Sequence, residues 1–268
     1  MITTVIENKE IAPGCRYLLV DAPEIAMAAK PGQFVHVLCG TSYDPLLRRP
    51  LGVHEANPET GRFAMLYEVR GRGTSLLAER CVGDKVDILG PLGNGFTLPG
   101  SDGHDLLLVA GGIGVAPLYY LAKELHRRGG YRKLSVILGA RTCDMILRAD
   151  DFQLLTNDLR IATDDGSQGC CGFVTTPLSQ YMEEAEAEAQ PLVFACGPMP
   201  MLRAIAATTR HYGLNCQVSI EAKMACGVGA CMSCVIKLRT DPGMADGSFK
   251  YVRSCKEGPV FNADEVIW

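Results

Sequence analysis

Hydrophobic and polar positions change their rhythm once along this chain. Up to about residue 98 the apolar residues come in short runs: CRYLLV (15–20), QFVHVLC (33–39), RFAMLYEVR (62–70) and KVDILG (85–90). Gly, Pro, Asp and Asn separate them. Short runs rich in Val, Leu, Ile, Tyr and Phe at this spacing predict an antiparallel barrel or sandwich. From about residue 103 apolar strands alternate with helical stretches. DLLLVA (105–110) leads through GGIGVAP into LYYLAKELHRRGG, and KLSVILGA, LRIATDDG, PLVFACGP and NCQVSIEA supply further strands. DDFQLLTN reads as a short helix and MPMLRAIAATTRHYG as a longer one. TTPLSQYMEEAEAEA reads as a helix capped by Thr176 with Pro177 in its first turn, and its charged run 182–190 as a solvated face. Strands alternating with helices predict a parallel sheet covered on both faces, with ligands at the carboxyl ends of the strands.

The expected organisation is therefore an N-terminal antiparallel β-barrel (1–98), a central α/β nucleotide domain with a parallel sheet (99–216) and a small C-terminal unit (217–268). The last unit is too short for a large core and calls for a metal staple.

Composition narrows the class. The chain has 268 residues, is 47% hydrophobic and carries a net charge of -4, which argues against nucleic acid as a partner. No apolar run approaches the ~20 residues of a membrane span. The N-terminal residues have neither the basic nor the apolar region of a signal peptide, which points to the cytoplasm, where thiols stay reduced. Twelve cysteines then read as free thiols or metal ligands.

Four of them form a pattern. Cys226, Cys231 and Cys234 lie in MACGVGACMSC, and Cys255 follows in YVRSCKEGPVF. The spacing C-x4-C-x2-C-x20-C begins as plant-type ferredoxins do around a 2Fe–2S cluster. Gly227, Gly229 and Ala230 suit a loop that curls around such a cluster and aims N–H groups at its sulfur atoms. A structural zinc site and a set of buried free thiols remain open readings. Cys15, Cys39, Cys81, Cys143, Cys170, Cys171 and Cys216 read as core or surface thiols.

Other motifs suit nucleotides. Gly111, Gly112 and Gly114 follow a strand and open a helix, where backbone can approach a pyrophosphate. Cys196, Gly197 and Pro198 end another strand. The Cys196 thiol there sits either beside a nicotinamide or buried at a tight turn. Asp164 and Asp165 end the third strand, as a ribose-binding carboxylate that favours NAD over NADP or as a solvated turn. In the first region, Arg49 can neutralise a pyrophosphate, Thr74 and nearby N–H groups can bind its oxygens, and Tyr67 can lie against a flavin ring. An exposed arginine pair and an ordinary glycine turn are the plain alternatives.

Taken together, RRP (48–50), GRGTSLL (71–77), GPLGNGF (90–96), GGIGVAP (111–117), CGPMPML (196–202), EAKMACGVGACMSC (221–234) and CKEGPVF (255–261) occur in this order in one family. The chain resembles the ferredoxin–NADP reductase superfamily, and within it the electron-transfer subunits of bacterial two-subunit, NAD-dependent dihydroorotate dehydrogenases. The resemblance implies FAD on the barrel, contacted by Arg49, Pro50, Leu51, Gly52, Leu66, Tyr67, Glu68, Gly73 and Thr74. It implies NAD in the middle domain and a 2Fe–2S cluster on Cys226, Cys231, Cys234 and Cys255. It also implies an FMN-containing catalytic partner, in a heterotetramer of two subunits of each kind, serving pyrimidine (UMP) synthesis. A flavin exchanges electrons singly or in pairs, which explains its place between a one-electron cluster and the two-electron carrier NAD. A ferredoxin- or hydrogenase-linked reductase subunit is the alternative within the superfamily. A zinc-stapled nucleotide sensor is the alternative outside it. The family usually has serine where this chain has Gly52 and often arginine where it has Glu68. Both changes are expected to weaken the FAD site unless Arg70 or Arg72 compensates.

Overall fold

A computed structural model describes residues 1–40, 43–100, 102–184, 190–240 and 248–268. Six strands close an antiparallel barrel: β1 (Ile2–Ala12), β2 (Cys15–Asp21), β3 (Phe34–Leu38), β4 (Arg49–Asn57), β5 (Arg62–Glu68) and β6 (Lys85–Leu92), in the order β1-β2-β5-β4-β3-β6. Closure leaves no free edge. Period-two alternation sets its interior. On β5, Phe63, Met65 and Tyr67 turn into the barrel core, whereas Leu66 turns outward onto the neighbouring sheet. Ile25 and Ala26 of α1 (Pro23–Ala28) and Leu77 of α2 (Arg72–Ala78) pack into the same barrel core.

The second layer system is a seven-stranded sheet in the order β10-β9-β8-β7-β11-β12-β15. Its strands are β7 (Asp105–Gly111), β8 (Lys133–Ala140), β9 (Asp158–Thr163), β10 (Cys170–Cys171), β11 (Leu192–Cys196), β12 (Cys216–Ser219) and, from the C-terminal segment, β15 (Val260–Asn262). All are parallel except β15, which runs antiparallel along β12. Every residue of β7 is buried because both faces are covered. Leu106, Leu108 and Ala110 meet α3 (Val115–Arg128), while Leu107 and Val109 meet α5 (Thr175–Glu184) and α6 (Met199–His211). A short α4 (Ala149–Gln153) precedes β9. Strand order reverses between β7 and β11, and that switch point opens a crevice at the carboxyl ends.

Two expectations change here. Helix α5 starts at Thr175, so Thr176 lies inside it rather than capping it. The expected continuation across 185–189 lies outside the described residues. The C-terminal unit is also less separate than its length suggests. The proposed boundary at 216 falls on the first residue of β12. Beyond it, Phe261, Ala263 and Val266 share a core with Val218 and Ile220. The physical reason is the edge of β12, whose unpaired N–H and C=O groups β15 satisfies. A two-stranded ribbon, β13 (Val235–Arg239) with β14 (Phe249–Arg253), completes the segment.

Candidate functional site

Three groups of predicted residues occupy three connected places. The first is a crevice of 910 Å³ between barrel and sheet. Cys15, Glu68 and Arg70 line it from the barrel side; Gly111, Gly112, Gly139, Asp164, Gly197, Pro198 and Met201 line it from the sheet; Glu221 enters from the C-terminal segment. Gly112 adopts φ +53°, so the chain can turn at the end of β7 and start α3. Gly114 is not on the crevice wall. A Cβ there would lie 2.3 Å from the Cys196 carbonyl oxygen, so its lack of a side chain lets the two loops pack. Asp164 faces the crevice, whereas Asp165 accepts hydrogen bonds from the Ser167 N–H at 3.0 Å and hydroxyl at 2.6 Å. Those bonds hold its carboxyl below the usual range.

Cys196 differs from the expectation of a thiol projecting at the top of the sheet. Its side chain is 1% exposed and packs in the core under α3. Burial pushes its pKa far up, so the thiol is neutral. Gly197 and Pro198, not Cys196, meet the crevice.

The second place is the barrel surface where β4 begins. Arg49, Pro50, Leu51 and Gly52 pair with Val37, His36, Val35 and Phe34 of β3. The Arg49 guanidinium lies across Gly73, where a Cβ would fall 2.8 Å from Nε. This is a cradle that a side chain at position 73 would fill, and it leaves an arginine at the start of α2, as an anionic pyrophosphate requires. The Thr74 hydroxyl is engaged locally: it accepts from the N–H groups of Arg70 at 3.0 Å and Gly71 at 3.2 Å. It therefore shapes the loop. Tyr67 is corrected more sharply. Its ring is 1% exposed inside the barrel, and its hydroxyl donates to Asn8 Oδ1 at 3.1 Å. Burial raises its pKa to about 12. It is not a platform for a flavin ring. Leu66 is buried likewise, on the opposite face. Glu68 is ion-paired with Arg70, so a positive side chain stands in the crevice two residues after the position where arginine is missing. Arg72 instead pairs with Asp44. Arg70 is the cation that identifies itself only once Glu68 and the crevice are seen together.

The third place is the cysteine loop. Gly227 and Gly229 take φ +69° and +83°, and the loop curls so that its amides point at sulfur. Gly229 N–H donates to Cys255 Sγ at 3.1 Å, Ala230 and Cys231 N–H to Cys226 Sγ at 3.3 and 3.4 Å, and Cys255 N–H to Cys234 Sγ at 3.4 Å. Backbone bonds from Val228 and Cys231 bring the Cys226 pKa down to about 6, while burial and the neighbouring Cys234 raise that of Cys255 to about 12. The donor set fits thiolate ligands of an iron–sulfur cluster, whose iron would supply the positive charge that Cys255 needs in order to ionise. Among the described residues, no three histidine, cysteine or carboxylate side chains are arranged to hold a single metal ion. Arg253, which belongs to no sequence motif, pins the loop: Nη1 donates to Gly229 O at 2.7 Å, and its guanidinium pairs with Glu257. Asn94 of the barrel donates to the carbonyls of Lys256 and Glu257, both at 3.1 Å.

Comparison with known proteins gives these places their family. Residues 221–267 match the iron-sulfur cluster binding domain of dihydroorotate dehydrogenase B, and residues 108–207 match the oxidoreductase NAD-binding domain. The dihydroorotate dehydrogenase B (NAD(+)) electron transfer subunit of Desulforamulus reducens is 41% identical over 96% of this chain and 94% of its own. That of Bacillus caldolyticus is 42% identical over 98% and 97%. Among solved structures, the NADH-dependent reduced ferredoxin–NADP oxidoreductase superposes with a TM-score of 0.85 at 30% identity, covering 100% of this chain and 90% of that one. A ferredoxin NADP+ reductase from Neisseria gonorrhoeae with bound FAD and NADP shares the fold alone, at TM-score 0.67 and 19% identity over 80% of this chain and 91% of that one. The chain belongs to the family of dihydroorotate dehydrogenase B (NAD(+)) electron transfer subunits.

Proposed function

We propose that this chain passes electrons from a dihydroorotate-oxidising catalytic subunit to NAD+, using a 2Fe–2S cluster and FAD, in pyrimidine (UMP) synthesis. The observation that carries the reading is the continuity of the three places. The turn that follows Cys255 is held to the barrel by Asn94, and the barrel's Glu68 and Arg70 open onto the crevice that Gly111, Gly112, Asp164, Gly197 and Pro198 complete. Cys226, Cys231, Cys234 and Cys255 hold the cluster, and Arg49 with Gly73 receives the FAD pyrophosphate. When bound, the flavin supplies exchange between single-electron and hydride chemistry. The chain's own part is to hold, orient and screen. Hydride transfer itself would need no side-chain acid or base in this chain: the proton that must join two single electrons would come from solvent reaching the crevice, and the base for dihydroorotate oxidation would belong to the partner.

We further propose that the partner bears FMN and that two copies of each subunit assemble. The exposed apolar residues Val228 and Met232 beside the cysteine ligands support a docking edge. Asp164 in the crevice favours NAD, because a ribose hydroxyl can donate to it and a 2′-phosphate is repelled. We place the chain in the cytoplasm, where thiolate ligands stay reduced; among the described residues no helix is long and apolar enough to cross a membrane. A second reading, a subunit of a ferredoxin-linked reductase, draws on the full-length superposition with such an enzyme. Co-purification with the catalytic subunit decides. The complex is expected to reduce NAD+ with dihydroorotate, and to lose that activity on Cys231→Ser while keeping NADH–dye activity. Ferredoxin-dependent turnover without any dihydroorotate activity sinks the proposal in favour of the second reading.

A further inference from the structure

His36 sits on β3 between Val35 and Val37. Those valines fill the barrel core, so by alternation Phe34 and His36 project from the outer face toward the C-terminal segment. Phe34 packs with Cys234 and Cys255. His36 lies against Gly227: a Cβ there would be 2.5 Å from Nδ1, so the loop passes the ring only because that residue is glycine. The Phe34 ring meets the imidazole edge-on with centroids 6.2 Å apart.

The imidazole is 1% exposed, and among the described residues neither ring nitrogen has a hydrogen-bond partner. Burial, with Arg48 and Arg49 nearby, lowers its pKa and keeps it neutral, with one N–H to give. Leaving such a group unsatisfied is costly, and native chains rarely do so unless the partner lies outside the polypeptide. Beside this ring the chain presents the loop that carries Cys226, whose bound group is rich in anionic sulfur.

We propose that His36 donates its N–H to a sulfur atom of the iron–sulfur group held by Cys226, Cys231, Cys234 and Cys255, and so fixes that group against the flavin-bearing barrel. The inference rests on the function proposed above. His36 pairs in register with Pro50, and the next pair along β3 is Val37 with Arg49. One residue thus ties the cluster loop to the strand that begins the FAD site. A hydrogen bond to cluster sulfur also favours the reduced, more negative state. His36 is a positioning and tuning residue.

The test uses the purified chain with its cofactors. With 15N-labelled histidine, pulsed EPR of the reduced cluster is expected to show nitrogen coupling that His36→Leu abolishes. His36→Leu should load iron normally and show an unchanged far-UV spectrum. In an EPR-monitored redox titration its one-electron equilibrium constant for cluster reduction should fall about tenfold, which corresponds to 59 mV. His36→Gln, which keeps a donor, should recover most of that loss. Wild-type protein without nitrogen coupling, or an iron-loaded His36→Leu variant with the wild-type potential, overturns the proposal. If His36→Leu does not load iron, the wild-type coupling alone decides. Wild-type protein holding zinc and no iron is a separate outcome, which removes the function proposed above and this inference with it.

Discussion

Gly73 and Arg49 exclude a side chain from the same space: a Cβ on Gly73 would lie within 2.9 Å of three guanidinium atoms of Arg49. Gly73→Ala is therefore expected to push the arginine off the start of α2. Because a charge-assisted hydrogen bond contributes about 1.5–3 kcal/mol, FAD should bind roughly tenfold to a hundredfold more weakly. Equilibrium dialysis of FAD against the deflavinated chain measures it, with Arg49→Ala as the reference loss. Unchanged affinity in both variants would remove Arg49 from the FAD site.

Gly52 gives the opposite case. A Cβ there would lie 3.8 Å from Pro117 Cδ, an ordinary contact, and the residue is not among those with positive φ. Packing does not require glycine at this position. Gly52→Ser should fold with the same thermal midpoint and supply a hydroxyl at the start of the FAD site. One net hydrogen bond of about 0.5–1.5 kcal/mol predicts FAD binding tightened by roughly twofold to tenfold. A weaker affinity would show that the hydroxyl has no acceptor here.

His54 makes stability depend on pH. It is fully buried, its Nδ1 lies 3.1 Å from Ala116 O, and its ring stacks on Tyr119 with centroids 4.9 Å apart. Burial lowers its pKa to about 3, from an unfolded value near 6.5. Between those values the unfolded chain binds the extra proton, so stability rises with pH and levels off above about 6.5. The slope from this group is at most about 1.4 kcal/mol per pH unit. Urea unfolding at pH 5 and pH 7 should show it, and His54→Phe should flatten the difference. An equal difference in the variant would assign the slope to other groups.

Much of this is legible in the sequence. Barrel strands, the alternation of strand and helix, and the four-two cysteine spacing all follow from local periodicity and from what a cluster loop needs. The burial of Tyr67 also follows from alternation: Phe63, Met65 and Tyr67 share one apolar face of β5, and that face turns inward. That of Cys196 does not, because the side a strand's last residue faces depends on its neighbours β7 and β12. The joining of β15 to β12 is a pairing between distant segments, which no local pattern reveals. His36 reads as one more member of an apolar strand until Gly227 is seen against it.

Asp164 and Asp165 could not be told apart in sequence. In the structure Asp164 lines the crevice while Asp165 is taken up by Ser167. Asp164→Asn is expected to raise the relative kcat/KM for NADPH over NADH by about tenfold to a hundredfold, from ~1–3 kcal/mol of relieved repulsion and weakened ribose bonding. Asp165→Asn should change that ratio much less. Equal effects of the two variants would refute the assignment of Asp164 to the ribose.

The edge beside the cysteine ligands carries the last expectation. Val228 and Met232 are each about half exposed, at 50% and 49%, and Tyr251 on β14 is 57% exposed. Met232 adopts φ +58°, a conformation that disfavours an L side chain. An exposed methionine held in that geometry gains nothing from the folded core. Contact with a partner gives its flexible side chain a use. Met232→Glu would place a charge at a desolvated contact, which should weaken assembly with the catalytic subunit by at least about tenfold. Dihydroorotate-dependent NAD+ reduction at limiting subunit concentration should fall accordingly and recover when the partner is in excess. Iron content should stay constant. NADH–dye activity should also stay constant, because the crevice bounded by Gly111 and Gly197 does not include this edge. A coupling affinity unchanged by Met232→Glu would move the docking edge elsewhere on the C-terminal segment.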